Sequence, residues 1–550
     1  MGAAPVMTDH TKRTVKGTLF ALLTTAAIGY GIVSWSLSPS MAQPTISASL
    51  EELKLHNPEL LQTFYEERGM RTIWLRGATD FQPRAKAALD LLQNSWTHGL
   101  NPENYHVPRL MEMAAMKGGM DRKQFDLLLS DGVIRYARDL TGMRGKHNPN
   151  DRADKYWRQP MDAQQILEEV VESGDPVNKL KTLEPNGKLY QALREELVML
   201  GGMLQNDKPV KIPAGFKPGQ SHADIVTMRE KIGSMASVTH PEIYDDELAS
   251  EIMKLQRSYG QRADGILRAE TLSAINRPVK DKMMQIIANM ERLRWMEQGR
   301  PDRYILVNIP SASLWAVEDG EVKMEMPVII GKTARPTYSF KTEITGVRFN
   351  PNWTVPPTIK NKDFLPMLQQ DPEALNKRGI RITYQGQLVD PTKVDWSTVT
   401  SKGLSQVKMI QNPGDDNPLG KVRVIMENPY NIYLHDTNHR ELFDADERAL
   451  SSGCIRVQQP EKLADFILKD NKEWSWNGMQ KMIDSGRMRD VKSEHTTPVY
   501  ITYQTIWLDS EGKLIYGRDV YGQDANLGEI LKKAAGIHIP QTAGKTEISL

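Results

Sequence analysis

A chain of 550 residues exceeds what one hydrophobic core serves, so roughly two to four domains are expected. Apolar residues make up 39% and charged residues 25%, a globular composition that excludes a disordered chain. Lys and Arg total 70 against 69 Asp and Glu, a balance that argues against a nucleic-acid binder with its basic excess.

Lys12, Arg13 and Lys16 precede an uncharged apolar run of 21 residues, Gly17 to Leu37. Such a run spans a hydrocarbon layer of ~30 Å, and basic residues before it keep the N-terminus inside. Ser40-Met41-Ala42 before Gln43 resembles a small-x-small cleavage site. Residues 1–42 therefore read as either a cleaved signal or a retained inner-membrane anchor, with the remainder outside the cytoplasm.

Residues 43 to 205 are expected to be mostly helical, as in Arg84 to Trp96 and Leu127 to Leu140, with a scaffold role by default. Gly145 to Pro160 is a polar interruption, and Asn206 to Gln220, with its Pro and Gly, reads as a linker. Leu248, Ile252, Leu255 and Tyr259 share one helix face, stopped by Gly260; Asp264-Gly265 turns the chain, and a second helix opens at Thr271-Leu272. Strands are expected at Tyr304 to Pro310, Leu314 to Val317, Val322 to Ile330, Val347 to Phe349, Val422 to Met426, Ile432 to His435 and Val499 to Tyr503. Between them, residues 354–420 read as a lid-like insertion of helical and turn character, and a helical tail follows residue 520.

The chain has one cysteine, Cys454, nineteen positions after His435. A lone thiol forms no internal disulfide, so it is either an inert buried Cys or a reactive one. Small residues before it and a charged one after it favour reactivity. A free thiol is mostly protonated at neutral pH, and an adjacent imidazole can make it a nucleophile. His435 is the candidate general acid and base; His439 reads as a surface residue. Gly453 would direct its N–H, with that of Cys454, at a developing oxyanion. Ser451, Ser452, Asp436 or a backbone carbonyl would orient the imidazole. Arg456 would bind a substrate carboxylate or form a structural ion pair. Tyr433 and Trp353 read as pocket or core aromatics, and no metal-ligand spacing is present.

His435-Asp436-Thr437 followed by Ser451-Ser452-Gly453-Cys454-Ile455-Arg456-Val457 resembles the signature of the L,D-transpeptidases. Met290 to Trp295, Val307 to Pro310, Asn350 to Pro356, Asn417 to Gly420 and Tyr516 to Asp519 resemble the large, scaffold-bearing periplasmic branch. Residues 244–276 resemble the small three-helix peptidoglycan-binding module. Many members carry His where this chain has Ser452, which leaves His435 as the motif's histidine.

The resemblance implies an α+β multidomain protein. It would hold a helical scaffold (43–240), the binding module (241–280), a β-rich catalytic domain (281–520) built as a mixed-sheet sandwich with its lid, and a tail (521–550). It implies acyl transfer on peptidoglycan stems through a Cys454 thioester, with release of D-Ala, formation of 3→3 cross-links, no cofactor, Asn417 among the substrate-binding residues, and carbapenems as inhibitors. Rival readings are an L,D-carboxypeptidase or endopeptidase, and an inactive peptidoglycan-binding scaffold. A papain-like protease would place its Cys ahead of its His, the reverse of the order here.

Overall fold

The computed structural model describes residues 52–535 except 77–79, 117–120, 145–156, 205–206, 235–238, 297–300 and 473. The apolar run and cleavage-like site of residues 1–42 lie outside them. Among the described residues no helix is long and apolar enough to cross a membrane.

The first region is helical: α1 (Pro58–Glu67), α2 (Pro83–Gln93), α3 (Val107–Ala115), α4 (Arg122–Thr141), α5 (Pro176–Leu183) and α6 (Lys188–Met203), with a short hairpin β1 (Leu75–Arg76) and β2 (Asp80–Phe81). Proline in the first turn of four of these helices costs no hydrogen bond, because that N–H has no helical partner. α4 instead starts at Asp121, whose carboxylate accepts the N–H groups of Lys123 and Gln124, both at 3.0 Å. α4 is buried along nearly its whole length and forms the spine of this region.

Three helices follow: α7 (Asp224–Ile232), α8 (Asp246–Ser258) and α9 (Ala269–Ile275). The segment read as a linker is part of their core. Val210, Ile212 and Phe216 are buried with Tyr244, Leu248, Ile252 and Leu267, and Phe216 stacks on Tyr244 at 6.4 Å. Pro and Gly give this segment its turns, but its apolar residues need burial and find it, so the unit begins near residue 207.

α10 (Val279–Arg294) leads into the β-rich region and packs on both sides of the junction. Tyr190, Leu193, Leu197 and Leu200 of α6 meet Met283, Ile286, Ile287 and Met290 in one core. Beside it lies a buried ion cluster. Glu291 accepts Arg144 Nε at 2.6 Å, Arg294 Nη2 at 3.0 Å and Trp295 Nε1 at 3.1 Å. Arg294 Nη1 donates in turn to the His98 carbonyl and the Tyr190 hydroxyl, both at 2.9 Å. Arg144 and Arg294 outweigh the burial cost and hold the Glu291 carboxyl down at about 2.

The strands are β3 (Arg303–Asn308), β4 (Ser313–Glu318), β5 (Glu321–Gly331), β6 (Phe340–Phe349), β7 (Trp353–Thr354), β8 (Ile380–Tyr384), β9 (Gln387–Leu388), β10 (Val407–Gln411), β11 (Val422–Met426), β12 (Leu434–His435), β13 (Ala449–Ser451), β14 (Ile455–Val457), β15 (Arg489–Thr502), β16 (Ile506–Leu508) and β17 (Leu514–Tyr516). Nine of them form one mixed sheet, ordered β13-β5-β14-β12-β11-β6-β15-β3-β4. β4 also pairs with β5, so the ladder closes on itself where a two-sheet sandwich was expected. The eleven-residue β5 allows this: Glu321 to Pro327 pair with β4, and Val328 and Ile329 pair with β14. Val307, Val328, Phe340, Val347, Val424, Leu434, Ile455 and Val499 fill the interior, plugged by Leu463 and Ile467 of α11 (Pro460–Leu468).

The insertion between β6 and β11 is not merely helix and turn. β7, β10, β8 and β9 form a separate sheet around Phe364, Leu368, Ile380, Ile382, Trp396 and Met409. The tail is likewise no appendage: in its helix (Gln523–Ala535), Leu527 and Leu531 are buried against α10.

Replacing Glu291 by Ala leaves Arg144 and Arg294 buried without a counter-charge. Urea unfolding is expected to show a loss of about 3–5 kcal/mol at neutral pH. Because the folded carboxyl is depressed from 4.5 to about 2, the wild-type contribution fades as pH falls through that window, and the difference between the two proteins shrinks with it.

Candidate active site

Strand alternation builds the site. Val422, Val424, Leu434, Ile455 and Val457 point into the barrel, so the residues between them face outward. Register then aligns three of these. Arg423 lies opposite His435 on β11 and β12, and His435 lies opposite Arg456 on the parallel pair β12 and β14. The imidazole therefore sits in a row between two guanidiniums. Leu434 is opposite Ile455, which brings the residue before it, Cys454, to the end of the neighbouring strand beside Tyr433.

His435 is buried, and its Nδ1 donates to the Asp436 carbonyl at 2.5 Å. That bond fixes the tautomer and leaves Nε2 as the acceptor. Burial, then the charge of Arg456 and Arg423, lowers its pKa to about 3 despite the carbonyl, so the ring is neutral at physiological pH. Tyr433 lies edge-on to it at 5.6 Å and carries the Arg423 guanidinium over its face at 4.2 Å.

Cys454 lies in the connection between β13 and β14 and is partly buried. Its Sγ–H donates to the Asn431 carbonyl at 3.7 Å. Among the described residues no hydrogen bond joins it to His435, as is common before substrate tightens a site. Burial raises the thiol pKa, against the pull of Tyr433, Arg423 and Arg456. The resting groups are thus a neutral thiol and, on the adjacent strand, a neutral imidazole whose Nε2 has no hydrogen-bond partner among the described residues.

The groups expected to orient His435 divide differently. Ser451 Oγ donates to the Cys454 carbonyl at 2.6 Å and accepts the Gly453 N–H at 3.1 Å, so it shapes the loop that carries Cys454. Gly453 therefore does not offer a free N–H to an oxyanion; that of Cys454 has no such partner among the described residues. Gly453 is still required by its φ of +115°. Ser452 Oγ accepts Arg335 Nη1 at 3.0 Å. The orienting group is the Asp436 carbonyl, and the Asp436 side chain acts one step away. Its carboxylate accepts the Lys421 N–H at 2.8 Å and Arg440 Nη2 at 2.9 Å.

Other candidates fall outside the site. Asn417 is fully buried and ties a turn together, donating to the Pro351 and Asn412 carbonyls at 2.9 and 3.0 Å. Trp353 packs edge-on to Phe364 at 5.9 Å in the insertion core. Tyr433 is shared, packing on that core while lying beside Cys454. His439 is exposed and pairs with Glu441 at 3.1 Å.

Sequence reasoning missed Arg423, Asn431, Thr337 and Arg335. Thr337 donates to the Gly453 carbonyl at 2.8 Å, and Arg335 clamps Asp363 of the insertion in two bonds of 2.5 and 2.7 Å while holding Ser452. Only Arg423 carried a signal, a charge at the outward position of an alternating strand.

One group of described residues has metal-ligating atoms within 4.8 Å of one another: His56, His106 and Asp131. They are already joined by hydrogen bonds. His106 Nε2 donates to Asp131 at 2.8 Å, and His56 Nε2 to the Asn104 carbonyl at 2.9 Å.

Gly420 has φ +56°, and a Cβ there would lie 2.2 Å from Asp436 Oδ2. Gly420→Ala is expected to lose about 1–2 kcal/mol from the left-handed conformation alone, and more from displacing Asp436, as read by urea unfolding.

Residues 302–501 match the family model described as the L,D-transpeptidase catalytic domain, and residues 59–197 match one described as a scaffold domain. A curated protein of Haemophilus influenzae named "Putative L,D-transpeptidase" is 34% identical over 251 residues, which is 45% of this chain and 50% of that protein. The chain thus spans half the length of that relative. A solved L,D-transpeptidase from Stackebrandtia nassauensis is 13% identical, over 53% of this chain and 97% of its own, with a TM-score of 0.21. Another, from Xylanimonas cellulosilytica, is 12% identical, over 54% and 100%, with a TM-score of 0.17. Scores this low leave the fold resting on the sheet itself. Residues 302–501 are thus an L,D-transpeptidase catalytic domain by family match, and residues 59–197 a scaffold domain.

Proposed function

We propose that this protein forms 3→3 cross-links between peptidoglycan stem peptides outside the cytoplasm, through a thioester on Cys454. The observation that carries the reading is the neutral His435, its Nδ1 bonded to a carbonyl and its Nε2 open, on the strand next to Cys454.

Cys454 Sγ attacks the carbonyl that joins the L-centre of a diamino acid to the terminal D-Ala, while His435 Nε2 takes the thiol proton. The Cys454 N–H meets the developing oxyanion; in other acyl-transfer sites one such donor is worth about 2.7–4 kcal/mol. Collapse expels D-Ala, whose amine receives the proton from His435. The side-chain amine of a second stem then attacks the thioester, His435 removes its proton, and the thiol is regenerated. Arg456 and Arg423 have no ion-pair partner among the described residues and supply positive charge for stem carboxylates. The insertion, clamped to the nucleophile loop through Arg335, favours capture by an amine over water by restricting solvent. Residues 1–42 act as the export signal or inner-membrane anchor, and carbapenems acylate the same thiol.

Purified protein and disaccharide-tetrapeptide are expected to yield D-Ala and cross-linked dimer; tripeptide without dimer points to an L,D-carboxypeptidase. Intact-mass spectrometry after meropenem is expected to show one adduct, lost in Cys454→Ala, and an unmodified folded wild type rejects the nucleophile assignment.

The pH profile follows from the two shifts. His435 is unprotonated at all pH values above about 3, so it imposes no acidic limb near neutrality. The Cys454 thiol, raised by burial, stays protonated through neutrality, so its proton passes to His435 within the site rather than to solvent. Acylation is therefore expected to be nearly flat between about pH 6 and 8. A climb of about tenfold per pH unit would show that the thiol loses its proton to solvent, and it rejects His435 as the base.

A further inference from the structure

A cleft of about 420 Å3 opens where the end of α8 meets the barrel. Its walls are residues 257–260, the turn between β3 and β4, the loop 443–449 and the β16–β17 hairpin. This volume falls in the usual range for a ligand site, at a junction between units where such sites concentrate.

The lining chemistry selects the ligand. Four Lys or Arg and five Asp or Glu side chains face the cleft, so neither a polyanion nor a polycation is favoured. Donors and acceptors are interspersed, which suits an uncharged ligand rich in hydroxyls and amides. Two donors are unused. The exposed Arg257 side chain makes no hydrogen bond or ion pair among the described residues, and Arg448 holds the Ser311 carbonyl at 3.2 Å through Nη2 while its buried Nε–H is unpaired. The cleft also holds Trp507, an apolar face on which a pyranose ring can stack. A Cβ on Gly517 would lie 2.4 Å from that indole, so the glycine is what lets the ring pack there and fixes the platform.

Position ties the cleft to the nucleophile. Loop 443–449 runs into β13, and Ala449 is five residues from Cys454, at most about 17 Å along the chain. The attacked carbonyl is three residues along a stem, a reach of about 10 Å before the link to the sugar is added.

We propose that this cleft binds the glycan strand of the donor, N-acetylated hexosamine units, and feeds its stem toward Cys454. The inference rests on the proposed function, and its test separates the two. The full chain is titrated with glycan strands stripped of their stems by an amidase, following Trp fluorescence or heat. Trp507→Ala and the exposed Arg257→Glu are expected to weaken this binding at least tenfold. Both should keep the meropenem adduct rate of the wild type, and with it a folded site. With glycan-linked tetrapeptide, KM should rise in both variants; with free tetrapeptide it should not change. Wild-type binding of stripped glycan that survives Arg257→Glu, or no binding at all, overturns the cleft assignment. A missing meropenem adduct overturns the nucleophile instead.

Discussion

Everything at the candidate site depends on the parallel pairing of two very short strands, β12 and β14. Two residues of one and three of the other are enough to put His435 opposite Arg456 and Cys454 beside Tyr433, because their inward neighbours Leu434 and Ile455 are locked into the barrel core. The same lock turns Arg423, His435 and Arg456 to the other face in one row. Burial, helped by two flanking cations, keeps the imidazole neutral, and a neutral ring with one nitrogen tied to a carbonyl can serve only through the other. Packing thus decides protonation, and protonation decides which chemistry is open.

The barrel is held to the helical region by a different device. α10 offers one face to α6 and another to the strands: Asn289 donates to Thr505 at 2.7 Å and accepts the Ile506 N–H at 3.1 Å. Glu291 adds a buried charge cluster that ties in Arg144 from the scaffold side. Apolar packing alone would tolerate sliding, whereas a buried ion cluster tolerates only one register.

Much of this was legible in the chain. Alternating apolar residues mark β3, β4 and β11, and the helix face from Leu248 to Leu255 is visible as a repeat. What was illegible has physical reasons. The insertion sheet is built from strands of two to five residues, so even the alternation of Ile380-Arg381-Ile382-Thr383-Tyr384 is too brief to stand out among the turns. The segment around Ile212 looked like a linker because Pro and Gly dominate its composition, while three apolar residues decide its burial. Asn417 was expected to bind substrate through the family resemblance of Asn417 to Gly420, yet it secures a turn, and Gly420 clears space for Asp436. The group that orients His435 is a backbone carbonyl, which every residue carries and no side-chain pattern can announce.

The raised thiol has a consequence for its encounter with oxidants. Peroxides and disulfides react with thiolates, and a cysteine kept protonated until a substrate is in place offers them little. Its hydrogen bond to the Asn431 carbonyl stabilises the neutral form further. The chain's one sulfhydryl is therefore guarded against oxidants by its own latency.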